Sequence, residues 1–130
     1  MIEIKHTKIT GKQLAELFVS SGIQRPTEDI DRMQRMLNNA NVLLSAWDGQ
    51  ALVGVLRGVS DMSYCTFVSD LAVARKYQRQ GIGSNLLKVL HAELGENISI
   101  VLLSAPSAMN FYPRLNFELE ATAFKQERAF

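Results

Sequence analysis

Apolar and polar positions alternate from Ile2 to His6, the pattern of a half-buried first strand, and the period then lengthens. Thr10-Gly11-Lys12-Gln13 has capping-box spacing ahead of Leu14, Leu17 and Phe18, which form one apolar face of a short helix. After a loop from Ser20 to Pro26, Thr27-Glu28-Asp29 sets a cap and two acids at the start of a second helix. Ile30, Met33 and Leu37 fall at i, i+3 and i+7, on its predicted buried side. Val42–Trp47 and Ala51–Ser60 flank Asp48-Gly49-Gln50, a hairpin signal, and a further strand over Tyr64–Val73 continues an antiparallel meander. A helix is predicted from about Gly83 to Leu94, with Leu86 or Leu87, Leu90 and Leu94 facing inward and Gly95 placed to stop it.

Ile98–Leu103 is a nearly continuous apolar run, the pattern of a strand buried on both faces. The strand, helix and strand over residues 67–103 make the fourth and fifth strands parallel neighbours by the crossover rule. A short helix around Ser107–Leu115 and terminal strands at about Phe117–Ala121 and Phe124–Ala129 complete the prediction. The expected class is α+β: a mostly antiparallel mixed sheet flanked by about four helices.

Composition narrows the class further. With 130 residues, 47% of them hydrophobic, and no long polar tract, the chain is expected to form a single domain over residues 1–130. A net charge of +1 with interspersed signs argues against a nucleic-acid partner. No window reaches the ~18 consecutive apolar residues of a membrane span, so no membrane association is expected. The start, Met1-Ile2-Glu3-Ile4-Lys5-His6, does not read as a secretory signal, and the one cysteine, Cys65, has no internal disulfide partner; a reducing cytoplasm is the expected compartment.

The chemistry concentrates in one stretch. Leu71-Ala72-Val73-Ala74 ends a strand, Arg75-Lys76-Tyr77-Gln78-Arg79-Gln80 forms a basic loop, and Gly81-Ile82-Gly83-Ser84 opens a helix. Backbone N–H groups at a helix start lack intrahelical partners, and glycines remove the side chains that would hold an anion away. The expected ligand is a phosphorylated small molecule gripped by main chain, with Arg75, Lys76 and Arg79 supplying charge. A dinucleotide fingerprint would need a glycine where Leu86 stands, and a P-loop would need a lysine directly after Gly83, where Ser84 stands. Both are excluded by spacing.

The run Gln78-Arg79-Gln80-Gly81-Ile82-Gly83 resembles the pyrophosphate loop of the GNAT superfamily of acyl-CoA-dependent N-acetyltransferases, Gln/Arg-x-x-Gly-x-Gly/Ala. The preceding Leu71-Ala72-Val73 matches that family's fourth strand, and Ala108-Met109-Asn110-Phe111-Tyr112, followed by Asn116-Phe117, resembles its second motif. Two positions depart from the pattern: Asn116 replaces the usual glycine, and Ala105 replaces an asparagine that many members carry. The resemblance implies acetyl-CoA as co-substrate, a primary amine as acceptor, direct attack in a ternary complex and no metal. It implies cofactor contacts at Leu71, Ala72, Val73, Gln78, Arg79, Gln80, Gly81, Ile82, Gly83 and Ser84, where the fourth and fifth strands splay apart. It also implies that Tyr112 is the acid that protonates the departing thiolate. A non-catalytic acyl-CoA-binding or regulatory module on the same fold is the alternative, and the acceptor's identity stays open.

The base is not identified by the pattern. Phe67 and Ser69 stand at the positions where family members often carry one, and Asp70 is expected on the opposite face unless a bulge rotates it, with a structural role, hydrogen-bonding the adjacent loop, weighed equally with catalysis. Asp61 and Tyr64 are further options, as is a water chain. His6 and His91 read as solvated, Cys65 as a small buried hydrophobe, and Arg57 as an exposed residue of a strand face in preference to a charge that selects an acidic acceptor. The terminal Phe124-Lys125-Gln126-Glu127-Arg128-Ala129-Phe130 alternates like an edge strand: a homodimer would cover it, or Lys125 and Arg128 would blunt it and keep the chain single.

Overall fold

The computed structural model describes residues 1–130. Five strands form one sheet in chain order: β1 (Ile2–Lys5), β2 (Val42–Asp48), β3 (Ala51–Ser60), β4 (Cys65–Val73) and β5 (Ser99–Leu102). The first three pairings are antiparallel and β4–β5 is parallel, the mixed class expected from the strand–helix–strand unit. Helices α1 (Gly11–Ser21) and α2 (Ile30–Asn38) cover one face, around a core of Leu14, Phe18, Met33, Val55 and Ala72. Helix α3 (Ile82–Leu94) covers the other, where Leu86, Leu87 and Leu90 meet Leu44, Leu56 and Val68.

Local chemistry explains the boundaries. Thr10 and Gln13 form the predicted reciprocal box at the start of α1, with Gln13 N donating to Thr10 Oγ1 at 3.1 Å and Thr10 N to Gln13 Oε1 at 2.9 Å. Gly22 and Gly95 end α1 and α3 with φ of 86° each, which glycine adopts without a Cβ clash. At α2 the cap is Asp29, whose carboxylate accepts from Arg32 N. The helix thus begins at Ile30, whose side chain is 42% exposed rather than buried as the spacing predicted.

Three further expectations are corrected. The helix over Ser107–Leu115 is two 3-10 turns, Pro106–Ala108 and Tyr112–Leu115, because Pro113, inside the predicted span, lacks the N–H group that a continuous helix would use there. Residues 117–130 form no strand. With nothing beyond it, β5 is the edge of the sheet, so Ile98–Leu103 is not buried on both faces: Val101 is 46% and Leu103 52% exposed. No helix is long and apolar enough to cross a membrane.

Candidate active site

The parallel pairing of β4 and β5 ends at Val68 and Leu102, while β4 runs on to Val73. The β5-facing edge of Ser69–Val73 therefore has no strand beside it. Ala74 N donates to Val53 O on β3, so by strand alternation the N–H and C=O of Leu71 and Val73 point toward the vacant side. Ala72 points its side chain into the core beside α1.

A bulge sets this part of β4. Arg57 pairs with Asp70 but the next residue, Gly58, pairs with Val68, leaving Ser69 as the extra residue. Val68 faces α3, and one residue after the bulge the parity has switched: Leu71 and Val73 face α3 while Ala72 faces α1. The same switch turns Asp70 toward the α1–α2 loop, the exception to strand alternation that a bulge permits.

There Asp70 is 1% exposed and both its oxygens are taken. Arg25 Nε donates to Oδ1 at 2.8 Å and Arg57 Nε to Oδ2 at 2.5 Å, while Arg25 also donates to Ser69 O and Arg57 to Ser69 Oγ. Arg57 is thus a buried member of an ion cluster, not an exposed residue of the strand face, and Asp70 is a brace. Asp61 is committed too: its Oδ1 accepts from the N–H groups of Ser63, Tyr64 and Cys65, and these bonds, Tyr64's first, lower its pKa below the ordinary carboxylate value. Cys65, expected in the core, is exposed at the start of β4.

The glycine turn lies where β4 ends. Gly81 caps α3 with φ of 83°, Arg79 precedes it at 64°, and no side chain bonds the helix start. The first N–H to bond back is that of Asn85, to Gly81 O at 3.0 Å, so those of Ile82, Gly83 and Ser84 have no intrahelical acceptor. Ile82 anchors this turn by burying its side chain against Gly54. Gln78 clasps it to the strand: its Nε2 donates to Val73 O at 2.9 Å and to Ser21 O at 3.1 Å. Gln80 Nε2 reaches Lys76 O at 3.4 Å. Tyr77 donates to Asp48 at 2.6 Å, which pins the loop to the β2–β3 hairpin and raises the phenol's pKa. Arg75, expected to serve the anion, instead lays its guanidinium over Gly22 at the C-terminal end of α1, where the helix dipole favours a cation.

The second motif returns to the same place. A Cβ on Gly83 would stand 3.6 Å from Phe111 Cζ, 3.9 Å from Leu71 Cδ2 and 4.0 Å from Val73 Cγ2, so the glycine, the strand end and the Phe111 turn converge. Tyr112 packs edge-on against Phe111 and Phe117, at ring-centroid separations of 5.0 and 5.7 Å, and its burial pushes the phenol's pKa above its ordinary value. Asn116 takes the left-handed conformation expected of it, with φ of 67°. The structure therefore gathers the predicted residues at one end of the sheet. The Gln78 clasp and the two arginine partners of Asp70 have no mark in the sequence: the hairpin register of Ser60↔Thr66 and Gly58↔Val68, continued without the bulge, would set Arg57 opposite Ser69, and no local pattern singles out Arg25. A separate cavity of about 520 Å³ lies toward the other end of α3, beside His6 and Glu93, and none of the predicted site residues lines it.

Residues 14–128 match the model of the acetyltransferase (GNAT) domain. Over 76 residues the chain is 34% identical to the GCN5-related N-acetyltransferase 2, chloroplastic, of Arabidopsis thaliana, a match covering 57% of this chain and 30% of that protein. The matched segment is thus under a third of the curated relative's length. A GNAT-family acetyltransferase from Streptococcus pneumoniae superposes over 100% of both chains with a TM-score of 0.78 at 28% identity. A protein from meticillin-resistant Staphylococcus aureus does so, also over 100% of both, with a TM-score of 0.87 at 19% identity, a likeness of fold.

Proposed function

Since this chain belongs to the GNAT acetyltransferase family, we propose that its residues 1–130 act as one domain that transfers an acetyl group from acetyl-CoA to a primary amine. The observation that carries this reading is the convergence of an uncapped helix start with a strand edge that no strand pairs: Ile82, Gly83 and Ser84 offer N–H groups beside the backbone of Leu71 and the N–H of Val73, while Val73 O is held by Gln78.

In this reading the pyrophosphate sits on the turn from Arg79 through Gly81 to Ser84, with charge from Arg79 and with Gln78 and Gln80 holding the loop's shape. The pantetheine arm runs along Leu71, Ala72 and Val73, using the edge as another strand would. An N–H of that edge polarises the thioester carbonyl. The amine attacks the carbonyl carbon in the ternary complex, the tetrahedral intermediate collapses, the carbon–sulfur bond breaks, and Tyr112 protonates the departing thiolate. Asp61 and Asp70 are engaged with backbone and arginines, so the amine arrives neutral and its surplus proton leaves through water. The protein works in the cytoplasm, and its partners are acetyl-CoA, the amine and a second copy of the chain.

The test is thiol release from acetyl-CoA across a panel of metabolite, polyamine, aminoglycoside and peptide amines. Amine-dependent CoA release with mass-confirmed acetyl product supports the reading. CoA binding with no turnover on any amine would favour the non-catalytic module, and no CoA binding at all would overturn both.

A further inference from the structure

Strand β1 is shorter than its neighbour, and the place it leaves is a cavity. Its register with β2 stops at Lys5 opposite Ser45, so Val42, Leu43 and Leu44 have no strand on that side. Asn41 fixes which way their backbone turns: its amide accepts from Ser60 N at 2.8 Å and donates to Ser60 O at 2.7 Å, so Ser60 faces β2. By alternation Gly58 and Leu56 face it too, and their partners Val42 and Leu44 spend their N–H and C=O groups on β3. Leu43 therefore turns both of its groups to the vacant side, where no loop backbone meets them. It lines the cavity of about 520 Å³ beside His6 and Glu93, a volume in the ~300–1,000 Å³ range of small-molecule sites. The floor is apolar, with Ile9 and Leu37 from the α1–α2 core and Leu44 and Leu90 from the α3 core. The lining also carries one charge of each sign beside His6. Lys8 has no ion-pair partner, while Glu93 lies at the end of α3 with its oxygens 3.0 and 2.8 Å from His6 Nε2.

From this apolar cavity, with its unpaired backbone N–H and C=O and its two opposite charges, we propose that it binds a di- or tripeptide with apolar side chains and free termini. The peptide takes up the line of β1, and one of its residues exchanges N–H and C=O bonds with Leu43 as a register partner would. Successive side chains of an extended peptide alternate, so one meets Ile9 and Leu37 and the next meets Leu44 and Leu90. A free amino acid cannot do this, having no internal amide and a single side chain. The peptide's carboxylate lies by Lys8. Its ammonium lies by Glu93, whose oxygens keep lone pairs beyond those that face His6 and to which the C-terminal end of α3 adds partial negative charge. A ligand charged at one end only would leave one of these groups without its counter-charge. The site stands apart from the Gly81 turn and the Leu71–Val73 edge, so the proposal does not depend on the acetyltransferase reading.

The experiment is a proton–nitrogen NMR titration of the full chain with leucyl-leucine, in the absence of acetyl-CoA, with free leucine and N-acetyl-leucine amide as comparison probes. Leucyl-leucine is expected to saturate with a Kd of about 1 mM or tighter, shifting the amide signals of Leu43, Lys8 and Asn38 together. Exchange of the Leu43 N–H with solvent is expected to slow about tenfold or more on binding, because that group gains an acceptor. Free leucine and the uncharged amide are expected to bind at least about tenfold more weakly. Lys8→Glu, at an exposed position, is expected to keep the parent's spectrum and to weaken leucyl-leucine by a similar factor. No saturable shift at Leu43 overturns the proposal, as do shifts centred on Ser69–Val73, which would put the peptide at the candidate active site instead. Equal binding of the uncharged amide, or an unchanged Kd in Lys8→Glu, overturns the assignment of a peptide with free termini.

Discussion

Arg57 and Asp70 are register partners across β3 and β4, and the guanidinium of the first holds the buried carboxylate of the second. Arg25 holds the other oxygen from the α1–α2 loop, so one carboxylate ties three elements together beside the bulge that reorients the strand end. Asp70→Ala leaves two guanidiniums facing each other without a counter-charge, one of them buried, and is expected to cost about 3–5 kcal/mol of unfolding free energy. Arg57→Met is expected to cost less, because Arg25 still neutralises Asp70. Urea denaturation of both variants checks the order; equal losses would mean that Arg25 contributes nothing.

Asp61 offers a pH test of the β3–β4 turn. Its folded pKa is depressed by the backbone N–H groups it accepts from, so its contribution is present above its unfolded value near 3.8 and is lost as pH falls through the folded value. Asp61→Asn is expected to flatten the stability profile below about pH 4, read by thermal melts between pH 2 and 6. A variant that keeps the parent's acid slope would assign that slope to other carboxylates.

Much of this arrangement was readable because it is local. The capping box at Thr10, the stop at Gly95 and the glycine turn at Gly81 each follow from a few contiguous residues, and each is where the spacing predicted it. Structure and local pattern part where long-range placement decides. Arg57 lies in an apolar run and is buried only because Asp70 and Ser69 meet it from the next strand. Cys65 follows the small-hydrophobe rule for the interior, yet it falls at the open end of β4 and is exposed. The run Ile98–Leu103 has the composition of a central strand, and what leaves Val101 bare is the missing neighbour, which no window of β5 can encode.

The two glycines of the turn are expected to fail differently. Gly81 has open space where a Cβ would go but a φ of 83°, so Gly81→Val costs ~1–2 kcal/mol or more of backbone strain at the start of α3 and misaligns the N–H groups behind it. Gly83 has ordinary backbone, and a larger side chain there meets Phe111, Leu71 and Val73 at the junction of turn and strand edge. Each lost main-chain bond to a charged phosphate is worth about 1.5–3 kcal/mol, so both variants are expected to weaken CoA binding at least tenfold in calorimetry. Only Gly81→Val should also lower stability substantially. Unchanged CoA affinity in both would remove the turn from the site.

Tyr112 provides the sharpest test of the chemistry. As the acid for the departing thiolate it must be protonated at the moment of collapse, and its burial raises its pKa above 10.0, so the working form persists throughout the neutral range. The alkaline limb of kcat, where the phenol ionises and activity falls, is therefore expected above the ordinary tyrosine value. Tyr112→Phe keeps the ring contacts with Phe111 and Phe117 and removes only the hydroxyl. It is expected to lower kcat by about 10- to 1000-fold with acetyl-CoA affinity nearly unchanged, because the phenol acts in the transition state rather than in binding. The same variant should lose the alkaline limb attributable to the phenol. Steady-state kinetics from pH 6 to 11, with CoA affinity measured separately, distinguishes the outcomes. Wild-type turnover across that range would make Tyr112 a packing residue, and a loss confined to KM would place its hydroxyl against substrate instead.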